Sequence, residues 1–226
     1  MLNRILETEV MDTAEEAIDY DSMDHRAVNR LFVDDFLAAL PADRFTSQSP
    51  GKIFDAGTGT AQIPVELVRR DVNLIVTASD LAEQMLIVAR RNVAAAGLDS
   101  SIRLVRSDCK HLPDADHSYD AVISNSIIHH IPDPVLVIQE LWRVLKPGGI
   151  LFVRDLMRPE NQSTLDQLVN TYAGDANIHQ QQMFRDSLHA ALTLREIGEL
   201  LQSLGVPAAA ARATSDRHWT ITAVKQ

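Results

Sequence analysis

The stretch Ile53-Phe-Asp-Ala-Gly-Thr-Gly-Thr-Ala-Gln-Ile63 decides the fold: a short apolar run leads into a glycine turn and then into a helical pattern. Glycines at 57 and 59 let the backbone approach a ligand closely, and the helix start behind them presents N–H groups with no partner inside the helix. A lone Gly-x-Gly is a weak signal. The dinucleotide fingerprint asks for a small residue three positions after the second glycine, and Gln62 stands there. Asp55, just before the turn, would repel a pyrophosphate but suits an ammonium held through water or main-chain groups. The ligand expected is therefore cationic or zwitterionic rather than a diphosphate.

Outward from this stretch, strand-like runs alternate with longer helical ones. Residues 52–56, 73–79, 102–107, 119–124 and 150–155 read as strands, each continuously apolar, as in strands covered on both faces. Residues 60–70, 82–96 and 134–145 read as helices; in the last, Ile138, Leu141, Trp142 and Leu145 recur at helical spacing. Repeated strand–helix–strand units imply an α/β fold, a doubly wound and mostly parallel sheet with right-handed crossovers. Residues 1–48 read as helical, with Val28, Leu31, Phe32, Phe36 and Leu40 as an apolar stripe ending at Pro41. After the fifth strand, helices are expected over about 160–173, 178–191 and 193–203, with Thr193 as cap and Gly205 as stop, then two strands near 209–214 and 219–225.

At 226 residues, 46% hydrophobic and 23% charged, the chain fits one ordinary globular domain. Its net charge of −10 is local: residues 5–25 hold eight acids (Glu7, Glu9, Asp12, Glu15, Glu16, Asp19, Asp21, Asp24) and no Lys or Arg. A solvated helix face accounts for that run, although it would also attract a cationic partner. Without a basic stripe, no nucleic-acid partner is expected. The first residues lack the apolar segment of a secretory signal and no apolar run is long enough for a bilayer, so a cytoplasmic protein without membrane association is expected. The single cysteine, Cys109, excludes a disulfide framework. The eight histidines show no His-x3-His or carboxylate-paired ligand spacing, so no metal is expected.

Two further acids extend the glycine-turn signal. Asp80 ends the second strand, where a carboxylate can accept both hydroxyls of a ribose, and Asp108 follows the third, within reach of an adenine amino group. Three strands in succession thus end in carboxylates, beside the glycine turn. In this combination the chain resembles a class I S-adenosylmethionine-dependent methyltransferase of the small-molecule, type 11 or 25 kind. The resemblance runs from about residue 51 to 155. It rests on Asp55-Ala-Gly-Thr-Gly-Thr-Ala61, Asp80, Asp108-Cys109, the fourth-strand segment Tyr119-Asp-Ala-Val-Ile-Ser-Asn-Ser-Ile-Ile-His-His-Ile131 and the turn Leu145-Lys-Pro-Gly-Gly-Ile150.

The resemblance implies a Rossmann-like seven-stranded sheet with helices on both faces and an antiparallel final strand. It divides one domain into a helical N-terminal lid (1–48), a cofactor-binding core (51–155), a substrate-cap insertion (156–192) and a last helix with the final strands (193–226). The implied cofactor is S-adenosylmethionine, leaving as S-adenosylhomocysteine. Gly57, Thr58 and Gly59 would surround its methionine part next to Asp55, Asp80 its ribose, Leu81 and Met85 its adenine with Asp108 and Cys109, and Asn125 and Ser126 its sulfonium. Tyr20 resembles an N-terminal tyrosine that closes over the cofactor. His129 and His130, after the fourth strand, are the general-base candidates, His130 slightly ahead, since imidazole titrates near neutrality; the same pair also suits a role in shaping the pocket. Arg154 is a candidate for a substrate carboxylate or for a pair with Asp155. A small-molecule acceptor, methylated on O, N or S, is the leading expectation; a protein or RNA acceptor, or a non-catalytic cofactor-binding module, is the alternative.

Overall fold

The computed structural model describes residues 2–7, 12–41, 45–71 and 73–226. The strands are β1 (Gly51–Ala56), β2 (Leu74–Asp80), β3 (Ile102–Arg106), β4 (Tyr119–Asn125), β5 (Leu145–Leu156), β6 (Ala211–Ala213) and β7 (His218–Val224). They form one seven-stranded sheet in the order β3-β2-β1-β4-β5-β7-β6. β1 pairs in parallel with β2 and β4, β2 with β3, and β7 runs antiparallel to β6. This is the expected doubly wound sheet with its antiparallel final strand, and the order reverses beside β1, where ligands bind such sheets. β5 begins five residues earlier than its apolar run, at Leu145 rather than Ile150.

The helices are α1 (Ala14–Ser22), α2 (Arg26–Ala39), α3 (Gln62–Arg70), α4 (Glu83–Ala96), α5 (Pro134–Val144), α6 (Gln162–Ala173), α7 (Ile178–Ala190) and α8 (Leu194–Ser203). Thr13 with Glu16, Asn177 with Gln180 and Thr193 with Glu196 form reciprocal caps that fix the starts of α1, α7 and α8. The N-terminal helical reading over 1–48 needs one correction: among the described residues, 2–7 carry no helix and α1 starts at Ala14, while residues 1, 8–11 and 42–44 lie outside the described residues. A second concerns the apolar stripe of α2. The buried face is Asn29, Phe32, Val33 and Phe36, whereas Leu31 is 57% exposed and Val28 38%. Hydrophobicity pointed to both faces; packing on β5 selected the one bearing Phe32 and Phe36, whose rings meet Phe152 at 5.2 and 5.7 Å.

The chain divides into two compact units that do not follow chain order. One comprises Val10–Asn125, Leu136–Val153 and Thr222–Gln226, the other Met1–Glu9, Ser126–Val135 and Arg154–Ile221. In the larger unit, α2 and α3 cover β1, β2 and β4 through Phe32, Phe36, Ile53, Leu67, Val76 and Ile123. In the smaller, Leu165, Leu168 and Val169 of α6 pack with Leu188 and Ala191, joined by Leu2 and Phe184. The polar residues of the expected cap insertion mostly serve its own helices: Gln180 caps α7, Gln182 bonds Asp186, and Arg185 pairs with Asp166. No helix among the described residues is long and apolar enough to cross a membrane.

Candidate active site

Parallel register sets the ends of β1, β2 and β4 side by side, with Ala56 opposite both Ser79 and Ser124. The chain then turns through Gly57 and Gly59 at φ +68° and +55°, conformations that glycine adopts freely. The turn is pinned to β2 by the Thr58 N–H on the Ser79 carbonyl at 2.8 Å and the Gly59 N–H on Asp80 Oδ2 at 2.8 Å. Ala61 starts α3 at φ +61°, a left-handed position held by a non-glycine residue.

Tyr20, Asp55, Gly57, Thr58 and Asn125 line one narrow cleft, with Asn29, Thr60 and Gln62. Asp55 is 2% exposed, and its Oδ2 is buried without a hydrogen bond, as are the hydroxyls of Thr58 and Thr60. Burial, opposed by the neighbouring Thr58 side chain and aided by the negative charge of Asp80, pushes the Asp55 pKa up to about 7. An unsatisfied buried carboxylate is costly, and a cationic ligand group is what would relieve it. Asp80 accepts from Gly59 and, at 2.9 Å, from the Ala82 N–H. Met85 is buried with Ala17, Ala82 and Val88 against the half-buried Tyr20. Leu81 is half-buried and its carbonyl accepts from Arg106 at 3.0 Å. Asp108 accepts the Lys110 N–H at 2.9 Å within its own turn, and burial pushes the Cys109 thiol up to about 12, which leaves it un-ionised near neutrality.

Reasoning from sequence missed the polar tie above this turn. Gln62 donates to Asp21 Oδ1 at 3.0 Å and accepts from Asn29 at 3.2 Å, while Asn92 donates to Asp21 at 2.8 Å and to the Thr60 carbonyl at 2.9 Å. The residue that breaks the dinucleotide fingerprint thus fastens α1 and α2 to the start of α3. Asp21 also shows that the acidic run is not simply a solvated face.

In the smaller unit the chain leaves β4 through Ser126, at φ +60°, into a 3-10 turn over Ile128–His130. Such a backbone in a non-glycine residue is sparsely populated and costs about 1–3 kcal/mol, a feature that collects at functional sites. His129 is buried, with Nδ1 2.6 Å from Asp155 Oδ1 and Nε2 3.6 Å from Glu7 Oε1; His130 Nδ1 lies 3.3 Å from the same Glu7 oxygen. Burial opposes a charge on His129, but Asp155 and Glu7 together hold its pKa above the ordinary value. Arg154 does not pair with Asp155; it is buried and donates to Thr220 Oγ1 at 3.0 Å. Glu7 carried no signal in the sequence, since nothing local links residue 7 to residues 129 and 130.

The segment 54–153 matches the family described as methyltransferase domain. The chain is 33% identical over 112 residues to a demethylmenaquinone methyltransferase of Porphyromonas gingivalis, covering 49% of this chain and 46% of that one. It is 33% identical over 185 residues to a malonyl-[acyl-carrier protein] O-methyltransferase of Enterobacter lignolyticus, covering 81% and 67%. Among solved structures it superposes on a SAM-dependent methyltransferase from Aquifex aeolicus at a TM-score of 0.65 with 17% identity, covering 94% and 98% of the two chains. The plantazolicin methyltransferase BpumL, solved with SAH, gives a TM-score of 0.67 at 14% identity, covering 94% and 90%. Matches to demethylmenaquinone methyltransferases thus span about half of those relatives, whereas the malonyl-[acyl-carrier protein] match runs through most of this chain. With the strand order, the glycine turn and these matches in agreement, the chain belongs to the class I S-adenosylmethionine-dependent methyltransferases.

Proposed function

We propose that this protein transfers a methyl group from S-adenosylmethionine to a small-molecule acceptor. The observation that carries this reading is Asp55: a buried carboxylate with an unpartnered oxygen, facing a cleft floored by a glycine turn. A diphosphate would be repelled there, whereas the cofactor's methionine end is cationic. S-adenosylmethionine, when bound, supplies a methyl group on a good leaving group, so displacement needs an aligned nucleophile and little else.

The work left to this chain is binding, alignment and exclusion of water. Gly57, Thr58 and Gly59 bring the close-approaching turn and the unpartnered Thr58 hydroxyl to the methionine end beside Asp55. Asp80 holds the ribose hydroxyls while its backbone bonds to Gly59 and Ala82 keep it aimed. Leu81 and Met85 flank the adenine, and Asp108 with Cys109 meets its edge. Tyr20, fixed through α1, covers the cleft, and Asn125 and Ser126 face the transferring methyl group. His129 and His130 handle the acceptor's ionisable atom. Of the two, His129 already spends Nδ1 on Asp155, so the more exposed His130 takes a proton where one must leave. Arg154, whose Nε donates to Thr220 Oγ1, is the candidate for binding a carboxylate of the acceptor.

By name, the relatives act on demethylmenaquinone and on malonyl-[acyl-carrier protein], which supports an acceptor of metabolite size, free or carried on a protein. Calorimetry with S-adenosylmethionine, S-adenosylhomocysteine and NAD tests the reading. Micromolar binding of the first two, weakened by about 1.5–3 kcal/mol in Asp80→Ala, supports it. Binding of NAD alone overturns it.

A further inference from the structure

We propose that Glu7, His129 and His130 form a binding site for a divalent transition metal ion of the zinc type, one that presents an open coordination position to an anionic oxygen. Among the described residues, Glu7 Oε1, His129 Nε2 and His130 Nδ1 are three such donor atoms that converge within 4.8 Å of one another. Ligand atoms around a tetrahedral zinc at about 2.0–2.1 Å are roughly 3.3 Å apart; Glu7 Oε1 is 3.3 Å from His130 Nδ1 and 3.6 Å from His129 Nε2. The third pair, His129 Nε2 and His130 Nδ1, lies within the same 4.8 Å.

Three observations single this cluster out. First, His129 is oriented from behind: Asp155 Oδ1 holds Nδ1 at 2.6 Å, leaving Nε2 to face the other donors. A carboxylate on the far nitrogen is the partner that metal-bound imidazoles have, and it raises ligand basicity. Second, Glu7 Oε1 is buried with no hydrogen bond, although both imidazoles lie within 3.6 Å. A protonated His129 would face this oxygen only at 3.6 Å, beyond hydrogen-bond reach, whereas a metal ion would bind it directly. Third, the segment that brings Glu7 here is fastened. Arg4 donates to the carbonyls of Ala190 at 2.7 Å, Ile131 at 2.8 Å, His129 at 3.2 Å and Pro132 at 3.3 Å, and the Ile5 N–H donates to the His189 carbonyl at 3.2 Å.

Two borderline imidazole nitrogens with one carboxylate oxygen make a donor set that zinc accepts, and three protein ligands leave a fourth position open, as in catalytic rather than structural sites. Charge decides what fills it. Glu7 and Asp155 together balance a divalent ion, and the Arg4 guanidinium adds one positive charge nearby, so the open position prefers hydroxide or an ionised acceptor oxygen to a neutral or cationic group. Under the proposed methyl transfer, on which only this last step rests, the acceptor is then a phenol, enol or acid. Its O–H proton passes to solvent, and the ion takes over the acid–base role given to His130.

The test is a titration of chelator-treated full-length protein with zinc chloride by calorimetry, repeated with cobalt(II) for its visible absorption. Expected are one ion per chain at micromolar affinity or better, cobalt bands of a four- or five-coordinate site, and at least a roughly tenfold loss of affinity in both Glu7→Gln and His130→Ala. Thermal melts of the metal-free variants check that both are folded. Absence of stoichiometric binding, or binding that neither substitution weakens, overturns the proposal. S-adenosylhomocysteine binding measured in the same metal-free samples reports on the methyltransferase reading separately.

Discussion

His129 Nδ1 and Asp155 Oδ1 lie 2.6 Å apart with both side chains buried, which joins the turn after β4 to the end of β5. Asp155 also accepts the Ile128 N–H at 2.5 Å and the Leu156 N–H at 2.6 Å. Burial works against its charge, but His129 and these two amides outweigh it and hold the carboxyl below its usual pKa. The turn that carries both histidines therefore depends on one carboxylate.

Replacing Asp155 by Asn keeps the shape but removes the charge that pairs with His129. Breaking a buried pair in this way costs about 3–5 kcal/mol when one partner is left charged, and somewhat less here because Asn can still accept from Ile128. A loss of roughly 2–4 kcal/mol in urea unfolding is expected. A loss under about 0.5 kcal/mol would show that the pair contributes nothing to the fold.

Gly59 and Gly97 separate strain from function. Both have positive φ, +55° and +68°; a Cβ at Gly59 would meet the Tyr20 ring at 3.6 Å, and one at Gly97 would meet nothing within 4 Å. Alanine at either position pays about 1–2 kcal/mol for a left-handed backbone. Only Gly59→Ala places a methyl group beside the cleft, so it alone is expected to weaken S-adenosylhomocysteine binding, by roughly tenfold or more. Equal effects of the two on binding would mean that the glycine turn is not part of the cofactor site.

The two faces of α2 yield a stability test and show where sequence reading stops. Phe36→Ala, at a fully buried position against Phe152, is expected to cost about 3–5 kcal/mol. Leu31→Ala, at a 57% exposed position, is expected to stay within about 0.5 kcal/mol. If Leu31 proves the costlier, the assignment of the faces is wrong.

The sheet, its parallel pairing and the cluster of carboxylates at its edge were legible because each is written locally: apolar runs of strand length, glycines at a turn, acids at strand ends. The buried face of α2 was not, because Val28 and Leu31 are as apolar as Val33 and only the sheet beneath selects between them. The same holds for the tie from Gln62 to Asp21 and for Glu7 meeting two histidines. Polar side chains far apart in sequence leave no periodic trace, so only the folded chain reveals such pairings.

Asp55 makes cofactor binding pH-dependent. Its carboxyl, ordinarily near 3.8, is pushed up to about 7 by burial, so between about pH 4 and 7 the folded protein holds a proton that the unfolded chain has released. The unfolding free energy therefore falls as pH rises through that window and levels off above it, by about 2–4 kcal/mol in total. Asp55→Asn, which carries no charge at any pH, is expected to remove this slope and to make the ligand-free protein more stable than wild type at about pH 8. A cationic methionine end favours the ionised carboxylate, so binding must expel the proton where the free protein holds it. Calorimetry at about pH 6 in buffers of different ionisation enthalpy is expected to report release of nearly one proton, declining toward zero by about pH 8 and absent in Asp55→Asn. Affinity should rise over the same range and then flatten. Heats that do not depend on the buffer at about pH 6 would place the cofactor's charge away from Asp55, and the cleft would lose the interaction that marks it as the methionine end of the site.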